Sequence, residues 1–231
     1  MKRLLLILIL LVEIVYSEEQ NLSPKSDKYN FSKEEKAIIL NSATSLALIA
    51  WGIIQWDYSL SNKTHTQSEG WFDEDTKSGG ADKLGHAYTA YGMTHLFSYL
   101  YKDFGYKDDK VALYGALSSL GFTTLMEVGD AFSPYGLSHE DLISNIIGTA
   151  FGYITYKYPT VDEKVDFRLE YKIDKDSFEG DFVTDYENMK HLLAFKASGF
   201  DTFKNNRYLK YLELYVGYYS RGYYGGGEKE R

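Results

Sequence analysis

There is no cysteine among the 231 residues. Disulfides, thiolate-bound metals, a cysteine nucleophile and a lipid-bearing N-terminal cysteine are thereby excluded. Arginine is missing where it would matter, because none lies between Arg3 and Arg168. The middle of the chain lacks the bidentate guanidinium that clamps phosphate, so a membrane phosphatase pairing His with Arg fits poorly. Neither a Gly-x-Ser-x-Gly elbow nor a His-Glu-x-x-His helix is present, so the usual serine-hydrolase and zinc-peptidase signatures are absent. Positive charge is in deficit as well. The formal net charge is −8, which makes nucleic acid a poor partner.

What is present begins with an export signal. Lys2 and Arg3 precede an apolar run over 4–12, and Val15 and Ser17 take the small-residue positions before a cut. Residues 1–17 are read as a signal peptide of an exported protein, placed in the periplasm or outer membrane of a Gram-negative bacterium. Loss of Lys2, Arg3 and Glu13 with that peptide leaves the chain more acidic still. Residues 18–34 read as a flexible polar lead. Residues 37–56 carry no charge, long enough for a membrane helix but diluted by Asn41, Ser42, Thr44, Ser45 and Gln55. Three further helices are expected over about 82–101, 110–128 and 138–156, each with a shorter uncharged stretch that suits a bundle. Ser138 with Asp141 has capping-box spacing. Gly148 and Gly152 lie one turn apart, the pattern of a helix that a neighbour approaches closely.

After Pro159 the period changes to two. Val165, Phe167, Leu169, Tyr171 and Ile173 alternate with Asp166, Arg168, Glu170, Lys172 and Asp174, as in a half-buried strand. Residues 189–198 are a weaker strand candidate, and Leu212, Leu214, Val216 and Tyr218 share one face of another. Aromatic, alternating strands of this kind are those of outer-membrane barrels. Three or four cannot close one, so either they form a small open sheet or the chain is part of a longer one. The expected fold class is α+β: a four-helix membrane-associated bundle over 35–158, followed by a β-rich antiparallel segment over 159–231.

The chemistry concentrates in two stretches. Asp82 and His86, four apart with Lys83 beside them, open one helix; Glu127 and Asp130, three apart, close the next; Asp141 and Asn145 open the last, with His139 nearby. In an antiparallel bundle the three pairs converge at one end. The candidate polar cluster is Asp82, His86, Glu127, Asp130 and Asp141. It reads three ways: a structural network of capped and paired groups, a divalent metal site with His86, Glu127 and Asp130 as ligands, or a metal-free acid–base site in which Asp82 orients His86.

The run from Glu69 through Gly79, Gly80, Asp82, Lys83 and His86, with Glu127-x-x-Asp130 and the stretch Gly136 to Gly148, resembles the YfiM-like family of predicted bacterial periplasmic proteins and lipoproteins, a domain of unknown function. The likeness covers roughly 51–156. More distantly, Asp82, Lys83 and His86 with the later Glu, Asp, Asn and Gly residues resemble VanZ-like membrane proteins. Those carry an Arg in the loop before the last helix, where this chain has Ser133 to Gly136, and favour Gln where it has Asp130. The resemblance implies an envelope protein and no particular reaction. Two functions follow from these readings. One is a non-enzymatic module that binds membrane lipid or organises the envelope. The other is a hydrolase or transferase acting on an envelope lipid or glycan through the polar cluster.

Overall fold

The structure, a computed structural model, describes residues 31–73, 76–173, 181 and 183–222. The expected signal peptide and most of the polar lead lie outside these residues. All elements below belong to the unit Lys33–Arg231.

Four long helices form where charge-free stretches are bracketed by charged ends. They are α1 (Lys33–Gln55), α2 (Ala81–Asp103), α3 (Asp108–Asp130) and α4 (His139–Lys157). Acidic residues occupy each first turn: Glu34 and Glu35, Asp82, Asp108 and Asp109, Glu140 and Asp141. They complement the exposed backbone N–H groups and the positive end of the helix dipole. Ser138 caps α4 as its spacing predicts, its Oγ accepting from Asp141 N at 3.2 Å. Lys157 closes α4, and Pro159, at the first position of α5 (Pro159–Asp162), starts a new turn. With α6 (Asp201–Lys204), the described residues hold six α-helices rather than the expected four. The two additions are single turns, too short to carry a periodic signal.

Helix α2 is the axis of the domain. It packs against both α3 and α4 and buries Asp82, Lys83, Ala87, Ala90, Phe97 and Ser98 along its length. Close approach to α4 depends on Gly148, where a Cβ would stand 2.0 Å from the Ala87 carbonyl oxygen. Helix α1 lies against α3 and buries only Leu48 and Gly52; it is tied inward where Asn41 Nδ2 donates to the Tyr101 hydroxyl at 2.8 Å.

The opposite flank of α2 carries an antiparallel sheet, β3 (Val165–Tyr171), β4 (Met189–Lys196) and β5 (Glu213–Tyr218), in the order β3-β4-β5. The register pairs Leu169 with His191 and Leu193 with Val216. Phe167 seats the sheet on α2, its ring edge-on to Tyr88 at 5.4 Å and 5.9 Å from Tyr91. A smaller parallel pair, β1 (Thr66–Gln67) with β2 (Leu137–Ser138), fastens the loop before α2 to the start of α4.

The α2–α3 joint is the contrasting case. Lys102 and Asp108 are 3.8 Å apart with side chains 63% and 88% exposed. An ion pair in that setting contributes little. Lys102→Ala is expected to shift the free energy of urea unfolding by less than about 0.5 kcal/mol.

Candidate functional site

The N-terminus of α2, the C-terminus of α3 and the N-terminus of α4 meet at one end of the bundle. Before α2 the chain makes a tight turn in which Ser78 (φ 52), Gly79 (φ 58) and Gly80 (φ 79) are all left-handed. At Gly80 a Cβ would also meet the Trp71 carbonyl oxygen at 2.2 Å, so glycine is required there. The turn is held from the far end of the chain. Tyr218 Oη donates to the Gly79 carbonyl and Ser220 Oγ to the Ser78 carbonyl, both at 2.6 Å.

Lys83, 2% exposed, is ringed by carboxylates. Its Nζ lies 2.5 Å from Glu69 Oε2, 2.7 Å from Asp82 Oδ2 and 2.9 Å from Asp141 Oδ1. The first two contacts are hydrogen bonds; the third lacks hydrogen-bond alignment and acts as an ion pair. Burial by itself would weaken the ammonium, but Asp82 and Asp141 more than reverse that and raise its pKa.

His86 lies one turn further along α2, between two acids. Its Nδ1 is 3.2 Å from Glu127 Oε1 and its Nε2 3.8 Å from Asp141 Oδ2. Asn145 Nδ2 donates to the same Glu127 oxygen at 2.9 Å. Burial would depress the imidazole, whereas Glu127, Asp141 and Asp82 lift it to about 9. The neighbouring carboxylates thus favour the imidazolium form of His86.

Asp130 stands one turn beyond Glu127 and near Tyr58, whose hydroxyl donates to the Met126 carbonyl at 3.1 Å and whose ring lies against Gly52 and Gly129. Burial, then the Glu127 charge, push its carboxyl up to about 7. Against the effect of burial, His86 and Lys83 hold Asp141 below the usual carboxylate range. A cavity of about 170 Å³ opens among these groups. Asp82, His86, Asp130 and Asp141 are among its polar lining residues, and Trp56 and Tyr186 line it as well. The indole of Trp56 donates to Asp181 Oδ2 at 2.6 Å, and Val183, Thr184 and Tyr186 also line the cavity.

All five sequence candidates thus lie at one end of the bundle, with pairings of their own. Asp82 binds Lys83, and the acids in contact with His86 are Glu127 and Asp141, not Asp82. Among the described residues, two groups could each surround one cation: His86, Glu127 and Asp141, and Glu69, Asp82 and Asp141, with ligand atoms within 4.8 Å of one another. The second already encloses the Lys83 ammonium. Asp130 belongs to neither trio. His139 is exposed. Glu69, Tyr58 and Tyr186 were not among the candidates. Only Glu69 had a signal, as the first residue of the Gly-rich run leading into α2.

Residues 68–157 match the model of a family described as "Predicted periplasmic lipoprotein (DUF2279)". The matched span contains Glu69, Asp82, Lys83, His86, Glu127, Asp130, Asp141 and Asn145. It supports a periplasmic domain of unknown function, consistent with export of an envelope protein. The 231 residues hold no cysteine on which the lipid of that description could be carried. No curated protein and no solved structure matches the chain.

Proposed function

We propose that this is a non-enzymatic envelope module that lies on a membrane through the outer face of α1, α3 and α4 and binds or organises lipid there. The observation that carries the reading is the apolar outer face. The interior of the bundle mixes Ala90, Phe97, Tyr101, Val111 and Met126 with Thr94, Ser98, Ser119, Thr123, Asn145 and Thr149, all buried. Outside, Ile38, Ile53, Leu117, Ile146 and Ile147 are exposed. Apolar surface of this extent marks a contact with lipid or protein. The face bears no Asp, Glu, Lys or Arg between Ala37 and Trp56, Val111 and Met126, or Leu142 and Tyr156. Helices α1 and α3 are long and apolar enough to cross a bilayer. The sheet argues for lying on the surface instead, since Phe167 sets it level with Tyr88 and Tyr91 in the body of the bundle. An open sheet edge cannot be left unpaired in hydrocarbon. The finer likeness to YfiM-like and VanZ-like proteins agrees with a membrane-facing envelope role, in the periplasm or at the outer membrane.

Vesicle flotation tests the reading. The purified chain is expected to float with phospholipid vesicles, to stay bound in 1 M salt and to be released by detergent. Recovery of the protein from the dense fraction in every lipid mixture would falsify it. A second reading, hydrolysis or transfer on an envelope lipid or glycan, draws support from Asp130. A carboxyl near neutrality beside a cavity has the pKa of a general acid–base. His86, favoured as the imidazolium by two carboxylates, is poorly suited as the base.

A further inference from the structure

We infer that the segment 200–221, which runs from the loop after β4 through β5, is a docking surface for an anionic phospholipid membrane. In a chain of net charge −8, residues 202–212 carry Lys204, Arg207 and Lys210 and no acid at all. The acids at the two borders are each matched by a cation. Asp201 Oδ1 lies 2.6 Å from Lys204 Nζ, and Glu213 Oε2 lies 2.7 Å from Arg168 Nη1. Arg207, Lys210 and Arg221 have no carboxylate partner among the described residues. Each lies over a tyrosine ring instead: Arg207 is 5.8 Å from the centroid of Tyr208, Lys210 5.0 Å from that of Tyr211 and Arg221 5.3 Å from that of Tyr219. A cation that rests on a ring rather than a carboxylate keeps its charge available to an outside anion.

The same segment exposes apolar surface. Tyr208 and Tyr211 are 74% and 76% exposed, and Leu212, Leu214, Val216 and Tyr219 more than half. Leu214 and Val216 share the sheet face of Phe167, but α2 reaches β3 and β4 and leaves these two side chains open. The loop is nonetheless held in shape. Asn206 Oδ1 accepts from Tyr208 N and Leu209 N at 2.9 and 3.0 Å, and Ala197 N donates to the Leu212 carbonyl at 3.0 Å. Tyrosine beside lysine or arginine, with leucine between them, is the composition of a membrane–water interface, where rings sit at headgroup depth and cations meet phosphate. The apolar side chains alone would suit any apolar partner; the unmatched cations select a negatively charged one. Acids elsewhere on the chain are screened beyond about 10 Å at ~0.1 M salt and do not cancel the attraction. The helical face described above is uncharged and does not choose among headgroups, so this contact does not rest on it.

Flotation of the full chain tests this on two vesicle types, phosphatidylcholine alone and a mixture of about three parts phosphatidylcholine to one of phosphatidylglycerol. At about 0.1 M salt the parent is expected to prefer the anionic vesicles, and the preference should vanish in 1 M salt, where the Debye length falls to about 3 Å. A cation at such a surface contributes about fivefold, so Arg207→Gln with Lys210→Gln should weaken binding to the anionic vesicles about twenty-five-fold and leave binding to neutral ones as it was. Lys102→Ala should change neither. Tyr208→Ser with Tyr211→Ser should weaken binding without altering its salt dependence. Should a loop variant misfold, the response of the parent to phosphatidylglycerol and to salt still decides. Flotation on anionic vesicles alone, removed by 1 M salt, supports this surface and removes the helical contact. Equal flotation on both vesicle types overturns the surface and leaves the helical reading standing. A preference that survives Arg207→Gln with Lys210→Gln also overturns it. Concentration-dependent dimers that Tyr208→Ser with Tyr211→Ser dissolve, with no lipid preference, overturn it in favour of a protein partner.

Discussion

Lys83→Met is expected to lower the free energy of unfolding by about 3–5 kcal/mol, a large share of the stability of an ordinary domain. Methionine keeps most of the length and apolar stem of lysine, so the loss isolates the ammonium. Without it, Glu69, Asp82 and Asp141 face one another with no hydrogen-bonded cation between them, and like charges in a buried site must either protonate or separate. Asp82→Asn or Asp141→Asn in the Lys83→Met background should recover part of the loss by removing one surplus charge. Urea unfolding followed by tryptophan fluorescence gives the numbers, with Lys102→Ala as the lysine whose removal costs almost nothing. A loss under about 1 kcal/mol for Lys83→Met would mean that water, not the ammonium, screens these acids.

Acid should destabilise the sheet through His191. This residue is 2% exposed in the middle strand, opposite Leu169 and Tyr218, with its ring beside Tyr88 and Phe167. Neither ring nitrogen has a partner among the described residues. Burial without compensation drops its pKa to about 4. The folded value lies below the unfolded one near 6.5, so the unfolded chain takes up the proton first as pH falls. The contribution of neutral His191 is therefore complete above about pH 6.5 and is lost progressively down to about pH 4. Its full size is about 3 kcal/mol. His191→Phe, which keeps the ring contacts and cannot titrate, should flatten that part of the pH–stability curve. Parallel curves for the two proteins between pH 7 and pH 4 would show that the imidazole is hydrated or paired after all.

Much of this architecture was legible in the chain, for identifiable reasons. The four long helices announce themselves because charge is confined to their ends, and β3 and β5 because apolar and polar residues alternate without a break. The meeting of Asp82, His86, Glu127 and Asp141 follows from polar pairs at helical spacing combined with antiparallel packing of α2, α3 and α4. What sequence could not supply is the pairing inside the cluster. Adjacent residues such as Asp82 and Lys83 normally point to different faces. Here both are buried, because α2 is enclosed by α3, α4 and the sheet. Glu69, Tyr58 and Tyr186 come from irregular segments whose positions depend on the β1–β2 pair, the space beside Gly52 and Gly129, and the Trp56–Asp181 bond. No periodicity in the chain encodes those. The apolar outer face was half visible: the uncharged stretches were plain, but which side of each helix faced outward was decided by packing.

The clamp that Tyr218 and Ser220 place on the Ser78–Gly79 turn has a consequence for the order of assembly. Those hydrogen bonds join residues 139 and 142 positions apart, so the entrance to the polar site is not secured until Tyr218 and Ser220 are available. The bundle closes through contacts nearer in sequence and has a shorter search. A chain emerging from a translocation channel N-terminus first would form its helices early and leave Lys83 among incompletely positioned acids until β5 docks. Maturation of the site then reports completion of folding. Premature truncation before Tyr218 would yield a helical protein whose site is loose rather than one that lacks its core.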